Sequence, residues 1–147
     1  MMTVDDMMTR HPITMRVEES LLMAKTLMQN HAIRHLPIID ENNVLMGIIS
    51  QRDVLRAQDS CLQRQTSQCD QELAQIGASE VMKKDIMSVN PQAGLRDAAM
   101  YMQKHKIGCL PVLSNECLVG IITDTDFVSI AINLLELLEE SEPLEQE

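Results

Sequence analysis

At 147 residues the chain has the length of one ordinary domain, and a 45% hydrophobic content is enough to bury a core. Its 12 Lys and Arg stand against 22 Asp and Glu, a formal charge of −10, and six of the acids fall within residues 136–147. That balance argues against a nucleic-acid surface, which needs a basic footprint to displace counterions. With one Tyr, one Phe and no Trp, stacking of bases on aromatic platforms is disfavoured too, and any flat ring must be held by aliphatic groups, for which 12 Met are available.

Residues 1–8 carry Asp5 and Asp6 and no basic or apolar leader pattern, and no apolar run reaches the length of a membrane span. The expectation is a cytoplasmic protein without a membrane or nucleic-acid partner. Cys61, Cys69, Cys109 and Cys117 form no C-x-x-C pair and match no zinc spacing, so reduced core or loop thiols and no metal site are expected.

In chain order, a short extended piece at residues 13–15 is followed by a helix whose apolar face is Leu21, Ala24, Leu27 and Met28, with Ser20 placed to cap it. A strand at residues 36–39, a polar turn at 40–43 and a second strand at 44–49 lead to another helix starting near Ser50. Residues 58–79 read as a Gln- and Ser-rich connector with a weakly helical patch at 71–76. The pattern then returns: an extended piece at 87–89, a helix with Leu95, Ala98, Tyr101 and Met102 on one face, strands at 110–113 and 118–122 around a turn at 114–116, and a helix starting near Thr123. This last helix continues with Phe127, Ile130, Ala131, Leu134, Leu135 and Leu138 on an apolar face larger than a small unit needs, which suggests a partner helix from a second copy. Beyond it the acidic tail is expected to fray.

The return is an internal duplication. At an offset of 74, Met8 falls on Met82, Leu21 on Leu95, Met28 on Met102, His31 on His105, and Leu36 with Pro37 on Leu110 with Pro111. One residue is then lost, and at an offset of 73 the segment GIISQRD at 47–53 falls on GIITDTD at 120–126. One such unit leaves an apolar sheet surface uncovered, and two packed face to face cover it. The fold class is therefore α+β: two β-α-β-β-α repeats, residues 1–57 and 80–132, packed sheet to sheet about a pseudo-twofold axis. Residues 58–79 connect them, and 133–147 form a helix extension and acidic tail.

Two readings of the repeated S/T-x-x-D stand side by side. It is a capping box, in which hydroxyl and acid satisfy orphan N–H groups of the first helical turn. Alternatively the Asp53 and Asp126 carboxylates face a cleft and accept hydrogen bonds from a ribose, with hydroxyl and helix N-terminus towards phosphate. His31 and His105 sit where a helix C-terminal dipole favours them.

Tandem units that each contain L-P-I/V and close with G-I-I-S/T-x-x-D resemble a CBS domain pair, or Bateman module, over residues 4–132. The resemblance implies a regulatory, non-catalytic module that binds an adenosine-containing ligand, AMP, ADP or ATP, with NAD or S-adenosylmethionine as further candidates. No other cofactor is required. It assigns the ribose to Asp53 and Asp126, with Ser50, Arg52, Thr123 and Thr125 beside them, and phosphate to Arg34 and His35. Thr14 and Ser88 border the ring or phosphates, and Pro37 and Pro111 mark the L-P steps. Gly108 and Cys109 replace Arg34 and His35 in the second copy, so the two clefts are unequal, and Asp126 is expected to share a cleft with Arg34 and His35. The resemblance also implies a homodimer and an effector protein elsewhere. The rival is a ligand-free dimerisation module in which both Asp residues only cap helices. The chain has no Gly-rich phosphate loop with Lys, no H-E-x-x-H and no G-x-S-x-G, so it is not expected to be an enzyme.

Overall fold

A computed structural model describes residues 1–59 and 66–141. The expectations for Cys61 and for the tail beyond residue 141 lie outside them. The elements are α1 (Val4–Met7), β1 (Thr9–Arg10), β2 (Met15–Arg16), α2 (Leu21–His31), β3 (His35–Ile39), β4 (Leu45–Ser50), α3 (Gln51–Asp59), α4 (Thr66–Gln75), α5 (Ala78–Val81), α6 (Leu95–His105), β5 (Cys109–Ser114), β6 (Cys117–Thr123) and α7 (Asp124–Ser141).

The helices start and stop as side-chain chemistry dictates. The Ser20 hydroxyl accepts the Met23 N–H at 3.2 Å and caps α2. Both α2 and α6 end on a left-handed residue, Ala32 at φ 52° and Lys106 at φ 54°, whose N–H closes on Met28 and Met102. Of the expected stripes, α2 buries Leu21, Ala24 and Met28 and α6 buries Leu95, Ala98 and Met102, while Leu27 and Tyr101 are only partly buried.

Two three-stranded sheets result, ordered β2-β3-β4 and β1-β6-β5. The expected strands at residues 13–15 and 87–89 are shorter than their sequences suggest: β2 begins at Met15, and Val89 makes only a parallel bridge to Val112. The first repeat does not keep its own lead-in. Strand β1 pairs with β6 of the second repeat, Thr9 opposite Ile121. Lys83, the residue 74 positions on from Thr9, bridges Ile48 of the first repeat in return. Val4 and Met8 accordingly bury in the core of the second repeat with Leu95, Leu110 and Ile122. Leu73 and Ala78 bury in the core of the first with Leu21, Leu36 and Ile49. Between the sheets Ile48, Cys109 and Ile121 form a third apolar cluster, with Ile86 against it. Exchange of lead-in segments ties the two halves together by backbone pairing as well as by apolar burial.

The one-residue gap has a structural counterpart. In the second repeat the hairpin turns through Asn115 and Glu116, both at positive φ, the geometry of a tight two-residue turn. In the first, Asp40 Oδ1 accepts the Asn42 and Val44 N–H groups, and the added Asn43 is left-handed at φ 64°. That residue binds the other hairpin: its Nδ2 donates to the Leu118 carbonyl at 2.8 Å, and its own carbonyl accepts the Leu118 N–H at 3.0 Å.

One expectation is corrected here. Cys109 and Cys117 are free thiols, but Cys69 is disulfide-bonded. Motif spacing is blind to such a bond, whose formation depends on the approach of two Cα atoms in space.

Candidate functional site

Helices α3 and α7 start beside the residues that lead into β3 and β5: the Gln51 N–H donates to the Arg34 carbonyl at 2.8 Å, and the Asp124 N–H to the Gly108 carbonyl at 3.0 Å. The two starts meet at Gly108, where a Cβ would stand 3.3 Å from the His35 ring. A cleft of about 480 Å³ opens there. The first repeat lines it with Arg34, His35, Ile48, Ser50, Gln51, Arg52 and Asp53. The lead-in of the second repeat adds Lys83, Asp85, Ile86 and Met87, and its body adds Lys106, Ile107, Gly108, Cys109 and Asp124.

Of the residues expected from sequence, five come together in this cleft: Arg34, His35, Ser50, Arg52 and Asp53. Thr14, Pro37, Ser88, Pro111, Thr123, Thr125 and Asp126 do not line it. Pro37 and Pro111 are fully buried strand residues, paired opposite Ile48 and Ile121. The expected meeting of Asp126 with Arg34 and His35 is replaced by Asp124, two residues earlier on α7. Arg34 Nη2 lies 3.7 Å from Asp124 Oδ1 and donates to Thr125 Oγ1 at 3.3 Å.

Both repeated acids cap helices. Asp53 Oδ2 accepts the Ser50 N–H at 2.8 Å and hydroxyl at 3.0 Å, and the Ser50 hydroxyl accepts the Asp53 N–H at 3.3 Å. Asp126 Oδ2 repeats this with Thr123, at 2.8 Å and 3.2 Å. The acids differ in setting. Asp53 is a buried charged residue, 4% exposed, at the cleft wall, and its other oxygen Oδ1 stands 3.7 Å from Arg56. One carboxylate can therefore close the helix end with Oδ2 and present Oδ1 to something else.

Desolvation by burial holds the His35 imidazole below its ordinary range, with Asp124 and Asp53 pulling it up and Arg34 and Lys83 pushing it down. Burial also pushes the Cys109 thiol up to about 12, so it stays protonated and unreactive. Among the described residues no cluster of three or more His, Cys, Asp or Glu could hold a metal ion, and no helix is long and apolar enough to cross a membrane.

Sequence reasoning missed Lys83, Asp85, Ile86, Met87 and Lys106. Lys106 reaches the cleft because it is the left-handed residue ending α6. The lead-in residues arrive by the exchange of segments, for which the repeated Met8 and Met82 were the available signal.

Fold and cleft together define a tandem two-repeat module with its site between the repeats. The chain belongs to the CBS domain family, whose pattern matches residues 4–60 and 78–133. It is 32% identical over 133 residues to the CBS domain-containing protein YhcV of Bacillus subtilis, covering 90% of this chain and 86% of that one. It is also 34% identical over 126 residues to a homoserine O-acetyltransferase of Methanocorpusculum labreanum, covering 84% of this chain. The chain spans only 23% of the length of that enzyme, and the match runs through CBS domains alone. Among solved structures, a Vibrio cholerae chain bearing the acetoin-utilization name AcuB is 56% identical, with a TM-score of 0.81 and coverage of 97% and 99%. CBSX2 in complex with AMP is 25% identical, TM-score 0.76, covering 90% and 98%. The CBS domain pair of protein MJ0100, in complex with 5-methylthioadenosine and S-adenosyl-L-methionine, is 25% identical, TM-score 0.75, covering 90% and 98%.

Proposed function

We propose that this chain is a non-catalytic regulatory module that binds an adenosine nucleotide, AMP, ADP or ATP, in the cleft between its repeats. The observation that carries the reading is the cleft itself. A chain of net charge −10 brings four of its 12 cationic residues, Arg34, Arg52, Lys83 and Lys106, to one opening of about 480 Å³. A phosphate suits those cations better than the sulfonium of S-adenosylmethionine does. Ile48, Ile86, Ile107 and Met87 offer apolar surface for a flat ring in a protein almost free of aromatics. Asp53 Oδ1 is the candidate acceptor for ribose hydroxyls. The AMP complex of the similar CBSX2 supports this class of ligand. Regulation follows from differential affinity: a ligand gripping both repeats favours the arrangement that grips it better.

A thermal-shift panel of AMP, ADP, ATP, NAD and S-adenosylmethionine tests the reading. The three nucleotides are expected to raise the melting temperature in a concentration-dependent way. Stabilisation by none of the panel overturns it and leaves the ligand-free dimerisation module.

A specific observation favours self-association in either case. On α7, Ile132, Leu134, Leu135, Leu137 and Leu138 are each more than half exposed. We infer that this outer half of α7 pairs with a second copy, and that any effector protein meets the dimer.

A further inference from the structure

Within the cleft, one contact joins the two repeats through opposite charges. Arg34 precedes β3 of the first repeat, and Asp124 opens α7 of the second, yet both line the same opening. Arg34 Nη2 is 3.7 Å from Asp124 Oδ1 and 3.3 Å from Thr125 Oγ1. The carboxylate is held in place, since Oδ1 also accepts the Thr125 N–H at 2.8 Å. Gly108 makes room for it. A Cβ there would stand 3.2 Å from Asp124 Oδ2 and 3.3 Å from the His35 ring, so a larger residue would push carboxylate and imidazole away.

The arrangement is not repeated by the internal symmetry. The residue matching Arg34 is Gly108, which has no side chain, and the residue matching Asp124 is Gln51, which has no charge. The ion pair thus exists on one side of the axis alone.

We propose that Asp124, assisted by Thr125, is a resident counter-anion for Arg34 that lowers the affinity of the cleft for phosphorylated ligands relative to unphosphorylated ones. This rests on the reading of the cleft as a nucleotide site. A phosphate approaching Arg34 meets a guanidinium already engaged with a carboxylate. To bind there it must share the guanidinium with that carboxylate, which stays close to the incoming charge. A nucleoside without phosphate does not contest the pair. The other charges at the cleft, Arg52, Lys83, Lys106, Asp53 and Asp85, remain in either case. The Arg34 and Asp124 side chains are 57% and 54% exposed, so the effect is a modest one and tunes affinity rather than blocking the site.

The test is calorimetric titration of the full chain with adenosine, AMP, ADP and ATP. The variant is Asp124→Asn, which keeps the Oδ1 acceptor for Thr125 and removes the charge. The phosphorylated ligands are expected to bind about two- to fivefold more tightly to the variant, the range of an exposed ion pair, while adenosine affinity stays the same. In an Arg34→Ala background the same substitution is expected to give a clearly smaller gain, and the difference isolates the pairwise contact from the general charge of the cleft. Unchanged or weakened nucleotide binding overturns the proposal, as does an equal gain for adenosine or a gain that is undiminished without Arg34. Failure of the wild-type chain to bind any of the four overturns the ligand reading itself, a result distinct from each of these.

Discussion

Met82 lies directly over Gly47. A Cβ on that glycine would stand 2.6 Å from Met82 Sδ and 2.9 Å from the Lys83 carbonyl oxygen. Gly120 has the same relation to Met8 and to the Thr9 carbonyl, at 2.5 Å and 2.9 Å. The repeated glycine is therefore the place where the other repeat's lead-in crosses the sheet, and the backbone pairing of Ile48 with Lys83 depends on that closeness. The methionine thioether can swing aside but the carbonyl cannot. Gly47→Ala and Gly120→Ala are each expected to lower unfolding free energy by about 1–3 kcal/mol, the cost of overpacking. Urea denaturation checks this, and unchanged midpoints would remove the glycines from the account of how the repeats interlock.

Asp53 caps α3 with Oδ2 and is proposed to offer Oδ1 to a ligand, so two substitutions separate the roles. Ser50→Ala removes the hydroxyl that bonds both the Asp53 carboxylate and its N–H. It is expected to cost about 1 kcal/mol of stability, as lost helix caps do, with a smaller loss of ligand affinity than Asp53→Asn causes. Asp53→Asn keeps an oxygen able to accept the Ser50 N–H and removes the charge offered to a ribose. It is expected to weaken nucleotide binding about tenfold or more, the range of a charge-assisted hydrogen bond, with a smaller loss of stability. Denaturation and calorimetry on both variants give the comparison. Wild-type affinity in Asp53→Asn would leave this acid as a helix cap only.

The fold was legible where the information is local. Helical spacing located α2 and α6, Ser20 announced its cap, and the shared Leu-Pro and Gly-Ile-Ile steps exposed the duplication. The crossing of the lead-ins was not legible, because no periodicity within residues 1–10 says which sheet their backbone joins. That omission carried into the site: Lys83, Asp85 and Met87 reach the cleft of the first repeat only through the crossing. The asymmetry was legible from Gly108 standing where Arg34 stands, but its consequence was not. Whether Arg34 meets Asp124 or Asp126 is a matter of which side of the first turn of α7 faces Arg34, and the motif alone left that open.

His35 gives the protein a pH dependence whose sign can be worked out. Burial lowers its pKa from the ordinary 6.5, so around neutrality the imidazole is uncharged. Below pH 6.5 the unfolded chain binds this proton before the folded one does. The stability contributed by the neutral ring is therefore complete above 6.5 and is lost as pH falls from there through the folded value. A phosphate in the cleft favours the charged ring and offsets the burial. Nucleotide binding is thus expected to take up protons and to tighten on mild acidification, while His35→Gln abolishes the uptake. Titrations in two buffers of different ionisation enthalpy measure it. Equal proton uptake in wild type and variant would assign the effect to another group.

The outer half of α7 offers the last prediction. Phe127 and Ile130 pack against the core of the second repeat, but every residue from Ala131 to Ser141 is exposed. Leu134, Leu135 and Leu138 recur at helical spacing on the side away from Glu136 and Glu140, and among the described residues nothing covers them. Burying one such leucine against a partner contributes about 1.5–3 kcal/mol, so a few from each copy suffice for a stable pair once the cost of association is met. Glu136 and Glu140 stay on the wet side, where two like-charged helices repel least, and Glu139 flanks the face beside Leu135. Leu135→Glu combined with Leu138→Glu touches no buried residue and should leave the thermal unfolding of an isolated chain intact. Light scattering after size exclusion is expected to show a dimer for the wild type and a monomer for the double variant. A wild-type monomer at high micromolar concentration, or a double variant that stays dimeric, would remove α7 as the pairing surface.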